Sequence, residues 1–218
     1  MLSHLDRIIF PDRCEVIEVI PSQRYVYPIF KNGRSSLYAE AKKNNWRIKL
    51  NNQIEKINHI DVIIRTPQER LVSGINTFIQ QTIRDNPMLD QKTVQWFALN
   101  YLYLNRHYCS QFLWLVNLSR YLNINTKLNF LSMNDIGTIT PLTQQPVDTP
   151  ASQSLTAAVD QIKNNEMYQR IDNILFDCIG QSLSFNQLIQ HIKVVDPVAY
   201  EYVIVYTQEI LQPIYALS

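Results

Sequence analysis

The chain predicts an α/β fold, a three-layer sandwich around a central parallel sheet with a helical C-terminal third. Two strand-to-helix passages carry this expectation. In the first, Tyr25-Val26-Tyr27-Pro28-Ile29-Phe30 is an apolar, β-branched and aromatic run; it breaks into Lys31-Asn32-Gly33-Arg34-Ser35-Ser36 and restarts as a helix at Leu37. In the second, Asp61-Val62-Ile63-Ile64-Arg65 sets three β-branched residues in a row, a buried-strand signal. Thr66-Pro67 breaks that strand, and Pro67 suits the first turn of a helix. Strand, helix, strand, helix implies parallel strands joined by right-handed crossovers. The third observation is the helical patterning that dominates from Leu155 onward.

Taken in order, Glu15 to Ile20 (EVIEVI) alternates as a half-buried strand. After the polar turn, Leu37 to Asn44 reads as a short helix with basic residues near its end. Trp46 to Leu50 alternates as a brief strand, and Ile54 to Ile60 is ambiguous. A helix from about Pro67 to Ile83 puts Leu71, Ile75, Phe78 and Ile79 on one face, and Lys92 to Asn105 turns Trp96, Leu99 and Tyr103 inward. Tyr108 to Val116 is apolar and aromatic, compatible with helix end, loop or strand; Leu128 to Leu131 is another short strand. Gly137 to Gln153 holds Pro141, Pro146 and Pro150 among Thr, Gln and Ser, and reads as a surface loop. Helices are expected at about 155–164, 166–178, 184–194 and 197–213, the last with Asp196 as N-cap and Pro197 at its first position.

A length of 218 residues, 46% hydrophobic and 18% charged, fits one globular domain, 1–218, with an α/β core over 25–135 and a loop-and-helix region over 140–218. A net charge of +1 supports no general nucleic-acid or membrane-surface role, so any electropositive site must be local. Cys14, Cys109 and Cys178 are few, odd in number and widely spaced, which suggests a reducing compartment and neither a disulfide framework nor a zinc site. The opening MLSHLDRIIFPDR lacks a signal-peptide core, and no apolar run approaches the roughly 18 residues that span a bilayer. A cytoplasmic protein is expected.

The polar turn Lys31 to Ser36 has the makings of an anion site. Backbone N–H groups at a helix start lack intrahelical acceptors, and the helix dipole adds partial positive charge there. Lys31 supplies a full charge, while Ser35 and Ser36 can cap the helix and donate hydroxyls. The turn is not a Walker loop, because its lysine precedes the glycine. Lysine-first order resembles the 5′-phosphosulfate loop of sulfotransferases, Pro-Lys-x-Gly-[Ser/Thr]-[Ser/Thr]. Here Phe30 takes the proline's place, Pro28 lies two positions earlier, and Arg34 is inserted before the serine pair.

Ile63 to Gly74 (IIRTPQERLVSG) resembles the same family's 3′-phosphate segment, an aliphatic strand followed by R-[D/N]-P-x-x-R-x-x-S. Arg65, Pro67, Arg70 and Ser73 keep the family spacing, and Thr66 replaces the acidic or amide residue. An arginine at a strand end offers a planar fork to a phosphate. His107-Tyr108-Cys109-Ser110-Gln111 is similar to the H-[W/Y]-x-P-Q segment of membrane-type carbohydrate sulfotransferases, with Ser110 where proline is usual. Over roughly 25–135 the chain resembles the sulfotransferase superfamily, nearer the carbohydrate or phage and bacterial branch. The late Arg-Lys-Gly element of the cytosolic branch has no counterpart.

That resemblance implies a P-loop NTPase-like sulfotransferase fold and a 3′-phosphoadenosine 5′-phosphosulfate (PAPS) donor, with no metal. It implies nucleotide contacts from Lys31, Asn32, Gly33, Arg34, Ser35, Ser36, Arg65 and Ser73, with Lys31 also catalytic at the bond that breaks. The acceptor would be a hydroxyl of a glycan or small metabolite. His107 is the first choice of general base, because imidazole titrates near neutral pH. Glu55 and His59 are alternatives, since they lie between the two nucleotide segments; Glu40 is a third, expected to be solvated. Two further readings stay open: a nucleotide-dependent kinase of similar architecture, and a non-catalytic nucleotide- or glycan-binding relative.

Overall fold

The structure, a computed structural model, describes residues 14–29, 31–100, 107–140 and 167–202. Its centre is a six-stranded mixed sheet in the order β3-β1-β2-β4-β5-β6. The strands are β1 (Glu15–Val19), β2 (Arg24–Tyr27), β3 (Arg47–Leu50), β4 (His59–Ile64), β5 (Lys127–Ser132) and β6 (Ser182–Ser184). Parallel pairing joins only β2, β4 and β5; β1 is antiparallel to β2 and β3, and β6 is antiparallel to β5. The expected parallel sheet is therefore corrected to a parallel centre with antiparallel flanks. Between β1 and β2 the chain has only the 3-10 turn Ile20–Ser22 and Gln23, whose φ of 53° completes the reversal. A link that short cannot make the crossover that parallel neighbours need.

Helices cover both faces. Among them are α1 (Arg34–Lys43), α2 (Pro67–Asp85), α3 (Gln91–Asn100), α4 (Gln111–Ser119), the short α5 (Ile136–Ile139), α6 (Met167–Asp177) and α7 (Phe185–Val195). On one face Tyr27, Val62, Ile64, Leu128 and Phe130 pack with Phe112 and Leu115 of α4, Ile171 and Leu175 of α6, and Leu188 of α7. On the other, Ile17, Val26 and Ile63 pack with Leu37 and Ala41 of α1 and with Ile136 and Ile139 of α5. A satellite core joins Leu71, Ile75 and Ile79 of α2 to Val94 and Ala98 of α3 and to Tyr108. At roughly 25 cal/mol per Å² of buried apolar surface, these three clusters carry the fold.

Several expectations need revision. α1 begins at Arg34, three residues before the apolar periodicity becomes visible. Trp96 is 60% exposed, and Val94 and Ala98 take the inward positions instead. Tyr108 to Val116 resolves into a turn followed by α4, buried along Gln111 to Leu118; a helix buried all round shows no stripe to betray it. Within the expected loop 137–153, Ile139 is buried in α5. The expectations for 101–106, for the helix at 155–164 and for the last helix beyond 202 fall outside the described residues. Among the described residues no helix is long and apolar enough to cross a membrane.

Candidate functional site

In register, Tyr27 pairs with Val62 and Ile64 with Ser132, so the turns after β2, β4 and β5 open at one carboxyl edge of the sheet. After β2 the chain enters α1 on one face; the connection after β4 brings α4 onto the other. Adjacent strands whose connections part in this way leave a crevice between their ends, where α/β proteins bind ligands.

The turn Lys31 to Gly33 lines that crevice. Lys31 and Gly33 both take left-handed backbone, with φ of 68° and 77°. A side chain at Gly33 would also put its Cβ 2.9 Å from Ile136 Cδ1, so glycine is required twice over. Gly33 is the N-cap of α1, and the first helical bond runs from the Leu37 N–H to its carbonyl at 3.0 Å. The N–H groups of Arg34, Ser35 and Ser36 thus have no intrahelical acceptor, and they stand at the positive end of the helix dipole.

Cationic side chains converge on this edge. Lys31 Nζ donates to Thr77 Oγ1 at 2.5 Å, and Arg65 Nη1 donates to the Lys31 carbonyl at 3.4 Å. Arg65 Nε lies 3.6 Å from Glu69, whose side chain is 63% exposed; such a pair is weak enough for an anion to displace. Ser73 precedes Thr77 by one helical turn and shares its stripe of α2. The Thr66 hydroxyl, next to Arg65, is buried without a hydrogen-bond partner. Lys31, Arg65 and Ser73 are thereby brought to one locus from two separate segments.

His107 joins the same stretch of α2. A Cβ added to Gly74 would fall 2.3 Å from the His107 carbonyl oxygen and 2.8 Å from Tyr108 Cβ, so the His107 main chain lies directly on the helix between Ser73 and Thr77. The His107 side chain is half-buried.

The other candidates fall differently. Asn32 is fully buried and its side chain turns away from the crevice: Nδ2 donates to the Ile63 carbonyl at 2.7 Å and to Gln111 Oε1 at 2.6 Å. Its backbone N–H is used by Ile29, so Asn32 is corrected from a nucleotide contact to a support of the loop. The Arg34 guanidinium is drawn back to Glu15, at 3.4 Å, and over the Tyr38 ring at 4.6 Å, leaving its N–H as the part nearest the helix start. Ser35 is exposed and Ser36 is buried; neither acts as the cap of α1. Glu55 is exposed on the 3-10 turn Asn51–Lys56 that links β3 to β4, and His59, the first residue of β4, is exposed at the opposite edge of the sheet. A six-residue strand puts His59 about 17 Å from the crevice, which removes it as a candidate base. Glu40 is buried rather than solvated, with Asn44 Nδ2 at 3.1 Å from its carboxylate.

Two polar residues with no expected role organise the site from below. Gln111, fully buried, accepts at Oε1 from Asn32 Nδ2 and from the Arg65 N–H at 3.1 Å; its Nε2 donates to the Arg65 carbonyl at 3.0 Å. Asp172 of α6 accepts from Ser110 Oγ at 2.6 Å, from Gln111 N at 2.9 Å and from Phe112 N at 3.2 Å, capping α4 from another helix. Burial pushes its carboxyl above the usual range, against the pull of Arg70 and of these three donors. Arg70, also buried, donates to the Cys109 carbonyl. One signal was visible in the sequence: Asp172 interrupts the apolar stripe Ile171, Ile174 and Leu175. Compared with known proteins, this chain matches no family model, no curated protein and no solved structure.

Proposed function

We propose that the protein is a PAPS-dependent sulfotransferase, with the P-loop NTPase-like arrangement of that superfamily, acting on a hydroxyl of a glycan or small metabolite. The observation that carries this is the meeting of two distant segments. Arg65 holds the Lys31 carbonyl, and the Lys31 ammonium reaches Thr77 one turn from Ser73. A fork, a lysine and a helix start at one crevice form the donor set that two separated phosphates require. The orphaned Thr66 hydroxyl, beside Arg65, fits the same ligand.

When bound, the donor supplies an activated sulfuryl group. The N–H groups of the first turn of α1 receive the 5′-phosphate, and Arg65 with Ser73 grips the 3′-phosphate. Lys31 stabilises negative charge on the bridging oxygen as it develops, an electrostatic effect available without reorganisation. His107 accepts the proton of the attacking hydroxyl. Three free, buried thiols suit a reducing, cytoplasmic setting.

The direct assay is transfer of labelled sulfate from PAPS to a panel of glycans and hydroxylated metabolites. Transfer that disappears in Lys31→Ala is the expected result. Phosphate transfer from ATP instead would reassign the protein as a kinase. Bisphosphate binding without transfer to any acceptor would reassign it as a non-catalytic relative.

A further inference from the structure

We infer that Gln111 is a positioning residue, an amide clasp that holds the Lys31–Gly33 turn in register with Arg65 and so fixes the separation of the two anion-binding halves. The side-chain bonds of Gln111 go to those two segments: to Asn32 at 2.6 Å and to the Arg65 N–H and carbonyl at 3.1 and 3.0 Å. Packing alone would be served at this buried position by an apolar residue; a buried amide is tolerated because its polar atoms are satisfied.

The clasp has a base and a load. At its base, Asp172 holds the Gln111 N–H and the Ser110 hydroxyl, while Arg70 holds the Cys109 carbonyl. At its load, Asn32 Nδ2 is shared between Gln111 and the Ile63 carbonyl, tying the turn to β4. On either side of Asn32, Lys31 and Gly33 hold left-handed backbone, which L residues such as Lys31 disfavour. A turn of that shape needs an external hold, and Gln111 supplies it through Asn32. The ligand named below rests on the sulfotransferase reading; the clasp itself does not.

The test replaces Gln111 with methionine, which keeps the volume and removes the bonds. Hydrogen exchange is followed across the whole chain. Amides of 31–36 are expected to exchange at least about tenfold faster while the β4–β5 ladder stays unchanged, as loss of a local hold predicts. Affinity for adenosine 3′,5′-bisphosphate is expected to fall by about 10- to 100-fold. Asn32→Ala cuts the clasp from the other side and should reproduce the loosening. The double variant should loosen the turn by less than the sum of the two single effects, since the singles share the Gln111–Asn32 link. Unchanged exchange at 31–36 in Gln111→Met, or a uniform acceleration over the sheet, would overturn the clasp. If Gln111→Met does not fold, Asn32→Ala decides the matter by the same exchange pattern. Should 31–36 loosen as expected while the wild-type protein fails to bind the bisphosphate, the clasp stands and the sulfotransferase reading falls.

Discussion

Replacing Lys31 by glycine and by alanine separates its backbone from its charge. Lys31 sits at φ 68°, a conformation that costs a non-glycine residue about 1–2 kcal/mol. Glycine relieves that cost but loses about 0.4–1 kcal/mol through the greater freedom of the unfolded chain. Lys31→Gly should therefore be more stable than Lys31→Ala by about 1 kcal/mol. Both variants lose the 2.5 Å bond from Nζ to Thr77, whose contribution at this half-buried position is about 1 kcal/mol. The glycine variant should then melt close to wild type, and the alanine variant about 3 °C lower for a domain of this size. Turnover should fall in both by about 10²- to 10³-fold, the loss typical of one preorganised group facing developing charge. Urea unfolding and a sulfate-transfer assay read the two effects separately. Equal stability of the two variants would refute the strain assignment, and turnover within tenfold of wild type would refute the catalytic role.

Gly74→Ala should cost about 3 kcal/mol or more in equilibrium unfolding, because its Cβ meets His107 backbone atoms at 2.3 and 2.8 Å and neither chain can yield cheaply. A loss under about 1 kcal/mol would mean that α2 is not seated on His107. His107→Ala should lower turnover by about 10²-fold and leave bisphosphate affinity near normal; undiminished turnover would remove His107 as base. Hydrogen bonds from the Ser132 hydroxyl and N–H hold the Asp135 carboxyl below its usual range. A depressed folded pKa stabilises above the unfolded value near 4 and stops doing so as pH falls through the folded value. The stability advantage of wild type over Asp135→Asn should therefore be full at neutral pH and shrink below about pH 4; a pH-independent gap would contradict the assignment.

How much of this was legible depends on how far apart the cooperating residues lie. β4 announced itself because Asp61 to Ile64 is buried on both faces, and α2 because Leu71, Ile75 and Ile79 recur at helical spacing. Lys31 and Arg65 could be expected together, since each follows a strand and parallel neighbours end at the same edge. Strand direction was not legible: EVIEV alternates equally well in either orientation, and only the short link to β2 makes it antiparallel. Nearness in sequence misled for His59, because β4 carries the chain across the whole sheet before reaching the crevice. Asn32, a polar residue in a polar turn, gave no hint of facing inward. Its buried partner Gln111 lies 79 positions away, and Asp172 lies a further 61 from Gln111, so the contacts that join them emerge only from the tertiary structure.

The most direct test of the two-phosphate crevice is calorimetric titration of adenosine 3′,5′-bisphosphate, with ADP and ATP as comparators, on wild type and Arg65→Ala. A 3′-phosphate gripped by Arg65 should favour the bisphosphate over ADP by at least about tenfold, equivalent to one charge-assisted bond of about 1.4 kcal/mol. Arg65→Ala should erase that preference while Lys31 and the start of α1 still retain the 5′-phosphate. Equal affinity for bisphosphate and ADP in the wild type, or tight ATP binding with no bisphosphate binding, would contradict the sulfotransferase assignment.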